Sequence, residues 1–387
     1  MDTELFSFAD RLRGRIFTGD ETPKPGGTGP GGFNDEPVHA DGCWGDFNEL
    51  ALELFALQSK FNPAYQKICV ARGVTPQVIN DWTQIPALPT AAFKELELSC
   101  IPRAERTAVF HSSGTTEQRP SRHFHRPESL AVYEASLLAG FEPHFEPAGR
   151  LVFLTPGQAA APHSSLVYMF DTLRRRRTPP ESVFLGQLAG DGSWTLNFAA
   201  VRRRLEAAIE SAVPLTLLGT AFSFVHLLDH LAEQGLWFRL PAGSRVLETG
   251  GYKNRSRALP KARLHELIGE RLGVPAAQIV CEYGMSELGS QAYAVRPAAW
   301  PVTGQAASPP PFHFPPWARA QIVSPETGRE VADGGTGLIR VCDLANVFSV
   351  AAVQTEDLGV RRGTGFELLG RAESAEPRGC SLMTLAA

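Results

Sequence analysis

The chain has 387 residues, of which 43% are hydrophobic and 20% are charged. This composition is typical of a folded globular protein and excludes a disordered or fibrous chain. Lys and Arg number 37 and Asp and Glu number 41, which gives a net charge of −4. Because the positive and negative charges are nearly equal in number, the sequence argues against a protein that binds nucleic acid over its whole surface.

Targeting and redox signals are also absent from the sequence. No run of about 18 or more apolar residues predicts a membrane span, and the first residues lack the basic-then-apolar order of a signal peptide. The six cysteines are scattered, without paired spacing and without the His spacing of zinc sites. We therefore expect a reduced, cytoplasmic protein without a structural metal.

The predicted elements begin with a flexible stretch at residues 19–45, where glycine and proline dominate one segment. A helix is predicted next, because large apolar residues recur at steps of three and four: Phe47, Leu50, Leu54, Leu57 and Phe61. Two prolines within residues 82–90 predict an extended segment after it.

From residue 107 onwards, short apolar runs alternate with helical patterns. Strands are predicted at residues 107–111, 151–154, 215–218, 245–249 and 278–282. Helices are predicted at residues 128–140, 222–231 and 261–272. This alternation is typical of parallel strands joined by crossover helices. Short strands at residues 320–323, 337–341 and 366–369 instead indicate a smaller, mostly antiparallel sheet.

A hydroxyl-rich segment directly follows the predicted strand at residues 107–111. Its residues are Ser112, Ser113, Gly114, Thr115 and Thr116. Glycine allows a tight turn whose N–H groups point at an anion, and the hydroxyls add further donors. The segment therefore suits a polyphosphate, although it is not a Walker A loop because no Gly-Lys-Ser/Thr follows. A Ser- and Thr-rich surface turn would have the same composition.

A second segment, which follows the predicted strand at residues 278–282, combines an aromatic ring, a glycine, a hydroxyl and a carboxylate. Its residues are Tyr283, Gly284, Met285, Ser286 and Glu287. Such a loop can stack a base, approach a phosphate closely and hold Mg²⁺ through the carboxylate. A Tyr-Gly turn closed by Ser and Glu would look the same.

The third segment contains Asp357, which we expect at the end of a strand, followed by Arg371 further along. A carboxylate there can accept hydrogen bonds from two ribose hydroxyls, and a nearby guanidinium complements phosphate. Taken singly, the two residues also fit a turn aspartate and a surface arginine.

In this order, at spacings of about 170 and about 70 residues, the three segments resemble the ATP-binding motifs of adenylate-forming enzymes. This superfamily comprises acyl-CoA synthetases, luciferases and the adenylation domains of peptide synthetases. Within it, the chain is similar to the acyl-protein synthetases of bacterial bioluminescence, the LuxE type. That narrower resemblance rests on residues 86–94, 354–359 and 370–382, and the likeness extends from about residue 80 to the C-terminus.

The resemblance implies an ATP site built from these segments. Residues 112–116 would wrap the β- and γ-phosphates. Gly250 and Gly251 would lie along the adenine, and Tyr283 would stack on it.

The remaining roles concern the reacting phosphate and the ribose. Ser286 would contact the α-phosphate and Glu287 would hold Mg²⁺. Asp357 would bind the ribose hydroxyls, and Arg371 would lie near the ribose, where the last segment of the chain begins. A substrate carboxylate would then attack the α-phosphorus, form an acyl-adenylate and release pyrophosphate.

The sequence departs from the superfamily pattern at three places. Glu117 stands where the phosphate loop usually continues with glycine, and Ser121 follows Pro120 where the pattern has lysine. No lysine follows Lys261, so the catalytic lysine of a complete C-terminal lid is absent. Cys380 matches the cysteine near the C-terminus that carries the acyl group in LuxE-type synthetases, although it also fits a plain tail cysteine.

We therefore expect an α/β fold with two parallel-sheet subdomains and flanking helices, a small β subdomain and a truncated C-terminal lid. The expected domains are a helical and loop region at 1–80, an adenylate-forming domain at 81–355 and a short tail at 356–387.

The expected function is ATP-dependent activation of a carboxylic acid as acyl-AMP, and the LuxE resemblance implies that this acid is a fatty acid. The acyl group would then pass to a thiol, that of Cys380 or of a partner protein. The resemblance implies an acyl reductase as the partner, and an acyl carrier protein is the other partner that we consider. The alternatives are a ligase that acts on a carrier protein, coenzyme A or an amine, and a non-catalytic nucleotide-binding partner or scaffold.

Overall fold

The computed structural model describes residues 3–18, 47–112, 119–145, 150–176, 182–190, 192–250, 259–296 and 309–372. Several sequence predictions lie outside these residues. They are the stretch at 19–45, the phosphate-segment residues Ser113, Gly114, Thr115 and Thr116, and also Gly251 and Cys380.

The described helices and strands alternate through the middle of the chain. The helices are α1 (Thr3–Thr18), α2 (Phe47–Phe61), α3 (Pro63–Ala71), α4 (Ala92–Glu95), α5 (Pro127–Phe141), α6 (Ser165–Arg176), α7 (Phe198–Ser211), α8 (Ala221–Glu233) and α9 (Lys261–Leu272). The strands are β1 (Leu88–Pro89), β2 (Ala108–His111), β3 (Arg122–His125), β4 (Arg150–Phe153), β5 (Val183–Phe184), β6 (Gly186–Leu188), β7 (Trp194–Leu196), β8 (Leu215–Thr220), β9 (Arg245–Thr249), β10 (Ile279–Tyr283), β11 (Ala292–Val295), β12 (Ala318–Val323), β13 (Thr336–Asp343), β14 (Ala352–Arg362) and β15 (Gly365–Arg371).

A six-stranded sheet in the order β11-β10-β9-β8-β4-β5 forms the larger layer. Its strands are parallel except for the edge strand β11. Helices α7, α8 and α9 pack on one face, and α5 and α6 pack on the other. Both faces are therefore buried, which explains why these strands are continuous apolar runs rather than alternating patterns.

A five-stranded sheet forms the second layer, in which β12, β13, β14 and β15 pair antiparallel in chain order. The short strand β1 joins the same sheet, parallel to β14. Helices α1, α2 and α3 bury apolar residues in the core of this sheet, where Phe8, Phe55 and Tyr65 pack with Val341 and Val353. The N-terminal helices thus share a hydrophobic core with the last strands.

The α/β class is confirmed, with one difference in the number of parallel sheets. The sequence predicted two parallel-sheet subdomains, whereas the residues that the structure describes form one mostly parallel sheet. The described part of the chain before β4 supplies helices, the short strand β1 of the other sheet and a separate two-stranded β2–β3 hairpin, and no further strand of the parallel sheet. The expected boundary between residues 355 and 356 falls inside β14, so residues 356–371 continue the antiparallel sheet.

The described helices include none that is both long enough and apolar enough to cross a membrane.

Candidate active site

The second and third motif segments meet where the two sheets adjoin. Thr249 ends β9 and is paired in parallel register with Glu282, the residue before Tyr283 at the end of β10. Gly250 follows Thr249 with a φ of 69°, a backbone conformation that favours glycine because other L-residues are strained there. The parallel register therefore places Gly250 and Tyr283 at the same edge of the sheet.

The hydroxyl of Tyr283 links the two sheets directly. It donates a hydrogen bond of 2.9 Å to Asp357 Oδ2 on β14. The Tyr283 ring packs edge-on against Phe366, with ring centroids 5.3 Å apart, and only 6% of the residue is exposed. Two contacts from the five-stranded sheet thus fix the orientation of this ring, which belongs to the six-stranded sheet.

Asp357 lies inside β14, whereas the sequence predicted it at the end of a strand. That expectation was wrong. Two adjacent acidic residues, Glu356 and Asp357, are more typical of a loop, but in the folded chain a cationic residue on β15 lies beside both of them. Arg371, the cross-strand partner of Asp357, contacts Glu356 Oε2 at 2.8 Å and approaches Asp357 Oδ1 to 3.8 Å. The structure thus brings Tyr283, Asp357 and Arg371 together.

The first segment opens as a hairpin loop, not as the expected passage from strand to helix. Strand β2 is followed by β3, which pairs with it antiparallel. Ser112 and Ser121 close the loop: Ser112 N–H donates to the Ser121 carbonyl at 3.3 Å, and Ser121 N–H donates to Ser112 Oγ at 3.0 Å. Residues 113–118 between them lie outside the described part of the chain.

Glu287 connects the first segment to the second. Its side chain is 2% exposed, and its carboxylate accepts hydrogen bonds from Ser286 Oγ at 2.9 Å and from Ser121 Oγ. Ser121 is a site residue that our reading of the sequence noted only as a departure from the usual pattern. A carboxylate beside two hydroxyl oxygens is a set of hard oxygen donors, so these residues fit Mg²⁺.

Asp343, at the end of β13, holds the chain that follows Glu287. Its carboxylate is fully buried and accepts bonds of 2.8 Å from the N–H groups of Gly289 and Ser290. It also accepts a bond of 2.7 Å from Ser290 Oγ and one of 2.9 Å from the Ala345 N–H. Burial raises the pKa of Asp343 to about 6 in spite of these four bonds. The sequence does not identify Asp343 as a site residue, because nothing in the local pattern reveals partners some fifty residues away.

Glu282 lies beneath the second segment, where its carboxylate is in close contact with position 284. Its carboxylate is buried and accepts a hydrogen bond from Thr249 Oγ1. Burial raises the pKa of Glu282 to about 7, against the lowering effect of that bond. A Cβ placed on Gly284 would lie 2.3 Å from Glu282 Oε1, so a larger residue there would force the buried carboxylate of Glu282 to move.

The fold and the meeting of these motif segments define an adenylate-forming, AMP-forming ligase. The fold resembles that of a solved 2-hydroxyisobutyryl-CoA ligase, captured in an open conformation with 2-HIB-AMP and CoA. That match has a TM-score of 0.61 at 14% sequence identity, and it covers 88% of this chain and 70% of that one.

Residues 188–386, just over half of the chain, match the family model described as acyl-protein synthetase, LuxE. The chain therefore belongs to this family. It is 22% identical over 351 residues to the long-chain-fatty-acid–luciferin-component ligase of Aliivibrio fischeri, covering 87% of this chain and 86% of that protein. The ligase of the same description from Vibrio harveyi is also 22% identical, over 335 residues, covering 83% of this chain and 82% of that protein.

Proposed function

We propose that this ligase uses ATP to activate a fatty acid as acyl-AMP, and that the acyl group then passes to a protein thiol. The observation that carries the proposal is the hydrogen bond between Tyr283 and Asp357. It brings the adenine and ribose segments, which lie on different sheets, into contact. The names of the two luciferin-component ligases support a long-chain fatty acid as the substrate class.

In the proposed ATP complex, Gly250 and Gly251 lie along the adenine, Tyr283 contacts it and Asp357 accepts hydrogen bonds from the ribose hydroxyls. Arg371 lies beside Asp357 and complements the negative charge of the nucleotide. The Tyr283 hydroxyl already bonds one oxygen of Asp357, so it orients the carboxylate before the nucleotide arrives. Such preorganisation lowers the entropy cost of binding.

Around the phosphates, Ser112, Ser113, Gly114, Thr115 and Thr116 supply donors to the β- and γ-phosphates. Ser286 contacts the α-phosphate and Glu287 holds Mg²⁺, which would offset phosphate charge when bound. A carboxylate oxygen of the substrate attacks the α-phosphorus, and the bond from that phosphorus to the bridging oxygen of pyrophosphate breaks. Catalysis here consists mainly of positioning and charge stabilisation.

For the second step we propose Cys380 as the thiol. Its thiolate attacks the acyl carbonyl carbon, the bond to AMP breaks and a thioester forms. Four other cysteines are buried, namely Cys69, Cys100, Cys281 and Cys342. Burial makes a thiol a poor acyl acceptor, since it blocks access and raises the pKa of the thiol. It raises the pKa of Cys281, for example, to about 12. This leaves Cys380 and Cys43, of which Cys380 matches the acceptor of the LuxE pattern.

The test is acid-dependent exchange of pyrophosphate into ATP over a panel of fatty and aromatic acids. We expect exchange with fatty acids in the wild type, its loss in Asp357→Ala and its retention in Cys380→Ser. Mass spectrometry of the protein should then detect a thioester in the wild type and in the matched control Cys43→Ser, but not in Cys380→Ser.

The outcomes separate the two proposed steps. Exchange without a thioester on Cys380 would refute self-acylation and leave a carrier protein, coenzyme A or an amine as the acceptor. ATP binding without exchange for any acid would contradict the activation step and indicate a nucleotide-binding scaffold. Equal exchange in wild type and Asp357→Ala would contradict the ribose role of Asp357.

A further inference from the structure

Four ionisable side chains form a cluster between α9 and the six-stranded sheet, and the proposed reaction uses none of them. The α9 cluster consists of Glu248, Lys261, His265 and Cys281. Glu248 on β9 and Cys281 on β10 are neighbours in the parallel register. Lys261 and His265 are four residues apart on α9, so they project from the same face of the helix.

Three of these side chains have the spacing of metal ligands. His265 Nε2 lies 3.7 Å from Glu248 Oε2 and 3.7 Å from Cys281 Sγ. The three ligand atoms all lie within 4.8 Å of one another. In a tetrahedral zinc site, bonds of about 2.0–2.3 Å place neighbouring ligand atoms about 3.3–3.8 Å apart. Small side-chain shifts would therefore bring the three atoms onto one ion.

The carboxylate of Glu248 gives independent evidence for a ligand. The residue is 1% exposed, and its Oε2 atom has no hydrogen-bond partner among the residues that the structure describes. Its nearest nitrogen neighbours are Lys261 Nζ at 3.5 Å and His265 Nε2 at 3.7 Å. Burying a carboxylate oxygen without a hydrogen bond is costly. The ion pair with Lys261 offsets part of that cost, and a bond to a metal would give the oxygen the close contact that it lacks.

We propose that Glu248, His265 and Cys281 bind a zinc ion. A thiolate, an imidazole and a carboxylate together suit Zn²⁺, whereas Mg²⁺ and Ca²⁺ prefer oxygen ligands alone. When the ion binds, the thiol proton of Cys281 leaves to solvent, since a thiolate is the metal ligand.

Lys261 competes with the ion for Glu248. Its ammonium group lies beside Glu248 Oε2, and its positive charge repels a metal ion bound to the same carboxylate. The Lys261 side chain is 37% exposed, so it can swing towards solvent when the ion enters. Removing the lysine charge should therefore strengthen metal binding.

The ion would connect α9 to the two strands that end at the candidate active site. Glu248 precedes Thr249 and Gly250 on β9, and Cys281 lies two residues before Tyr283 on β10. We assign the ion a structural role, because the cluster is buried below the strand ends. The site thus differs from the one proposed for Mg²⁺ at Glu287.

The test uses Co²⁺ as a spectroscopic probe on the full chain, freed of metal by chelation. A thiolate ligand gives a charge-transfer band that other ligands do not. We expect one Co²⁺ per chain with this band in the wild type and in Cys342→Ser, a control that removes another buried thiol. The band should be lost in Cys281→Ser, and affinity should fall at least about tenfold in His265→Asn.

Two results would overturn the proposal: absence of stoichiometric binding in the wild type, or a band that survives Cys281→Ser. Lys261→Met keeps all three ligands and should bind Co²⁺ more tightly than the wild type, and equal or weaker binding would also refute the proposal. Circular dichroism of each variant establishes that it is folded. The readout is metal binding alone, so it does not depend on whether the protein forms acyl-AMP.

Discussion

The protonation of Glu282 is a sharp test of the electrostatics beside the candidate active site. Its carboxyl group is buried, and burial raises its pKa from an ordinary value of 4.5 to about 7. The hydrogen bond from Thr249 opposes this shift, and the negative charge of Glu248 adds to it. The substitution Glu282→Gln keeps the shape of the side chain and removes its ability to ionise.

The sign and size of the effect follow from proton linkage. Because the pKa is raised on folding, the stability contributed by the neutral acid is fully present below about pH 4.5 and is lost as the pH rises through about 7. At about 1.4 kcal/mol for each tenfold change, the wild type loses about 2.5 kcal/mol between pH 5 and pH 8. The glutamine variant does not lose it.

Urea unfolding of both proteins across this pH range measures the difference. We expect the free energy of unfolding of Glu282→Gln to rise relative to wild type by about 2.5 kcal/mol from pH 5 to pH 8. Glu134→Gln is the matched control. Burial opposes ionisation of Glu134, but hydrogen bonds from Arg175 and Tyr168 outweigh it and lower its pKa. The change in the free energy of unfolding caused by Glu134→Gln should therefore be the same at every pH in this range.

A difference for Glu282→Gln that does not change with pH would refute this reasoning. It would mean that the Thr249 hydroxyl stabilises the carboxylate enough to cancel the effect of burial. Infrared absorption of the protonated carboxyl group gives a second readout. The band should be present in the wild type at pH 5, weaken as the pH passes about 7, and be reduced by the loss of one carboxyl in the variant.

Three further substitutions have expected outcomes. Gly284→Ala places a Cβ 2.3 Å from Glu282 Oε1, so it should cost about 1–3 kcal/mol of stability and weaken ATP binding, as measured by urea unfolding and calorimetric titration. Gly14→Ala, within α1 where a Cβ meets no atom within 4 Å, should instead raise stability by about 0.5–1 kcal/mol in the same unfolding assay. Asp343→Asn removes a charged acceptor from Ser290 N–H and Oγ. We expect the free energy of unfolding to fall by about 1–3 kcal/mol and ATP to bind more weakly. Unchanged ATP affinity would contradict a positioning role for this residue.

Local sequence patterns predicted the elements of the larger sheet closely. Strand β9 and helix α9 have the predicted bounds. Helix α9 ends where Gly273 adopts a φ of 72°, which is the conformation that glycine provides at a helix C-terminus. Such elements are set by short-range apolar periodicity and by their end residues, so the sequence is sufficient to find them.

Strand β3 was missed, and the extension of β14 beyond Asp357 was not predicted, because both depend on distant partners. Strand β14 carries Glu356 and Asp357, charges that are depleted in strands, and it is stabilised by pairing with β13 and β15. For the same reason, the order of the motifs identified Tyr283 and Asp357 as site residues, but it could not predict the hydrogen bond between them. The bond from Ser121 to Glu287 was likewise beyond the sequence, since it joins residues that only the folded chain brings together.

The pairing of β1 with β14 affects how the chain can fold during its synthesis. Leu88 lies beside Val353, and Pro89 beside Gln354. At roughly 5–20 residues per second, the ribosome delivers the partner strand tens of seconds after β1 has emerged. During that interval, the apolar faces of α1, α2 and α3 lack most of the sheet that later covers them. We therefore expect nascent chains that are stalled before β14 to bind chaperones and to be degraded by proteases, whereas chains released after β15 should resist proteolysis.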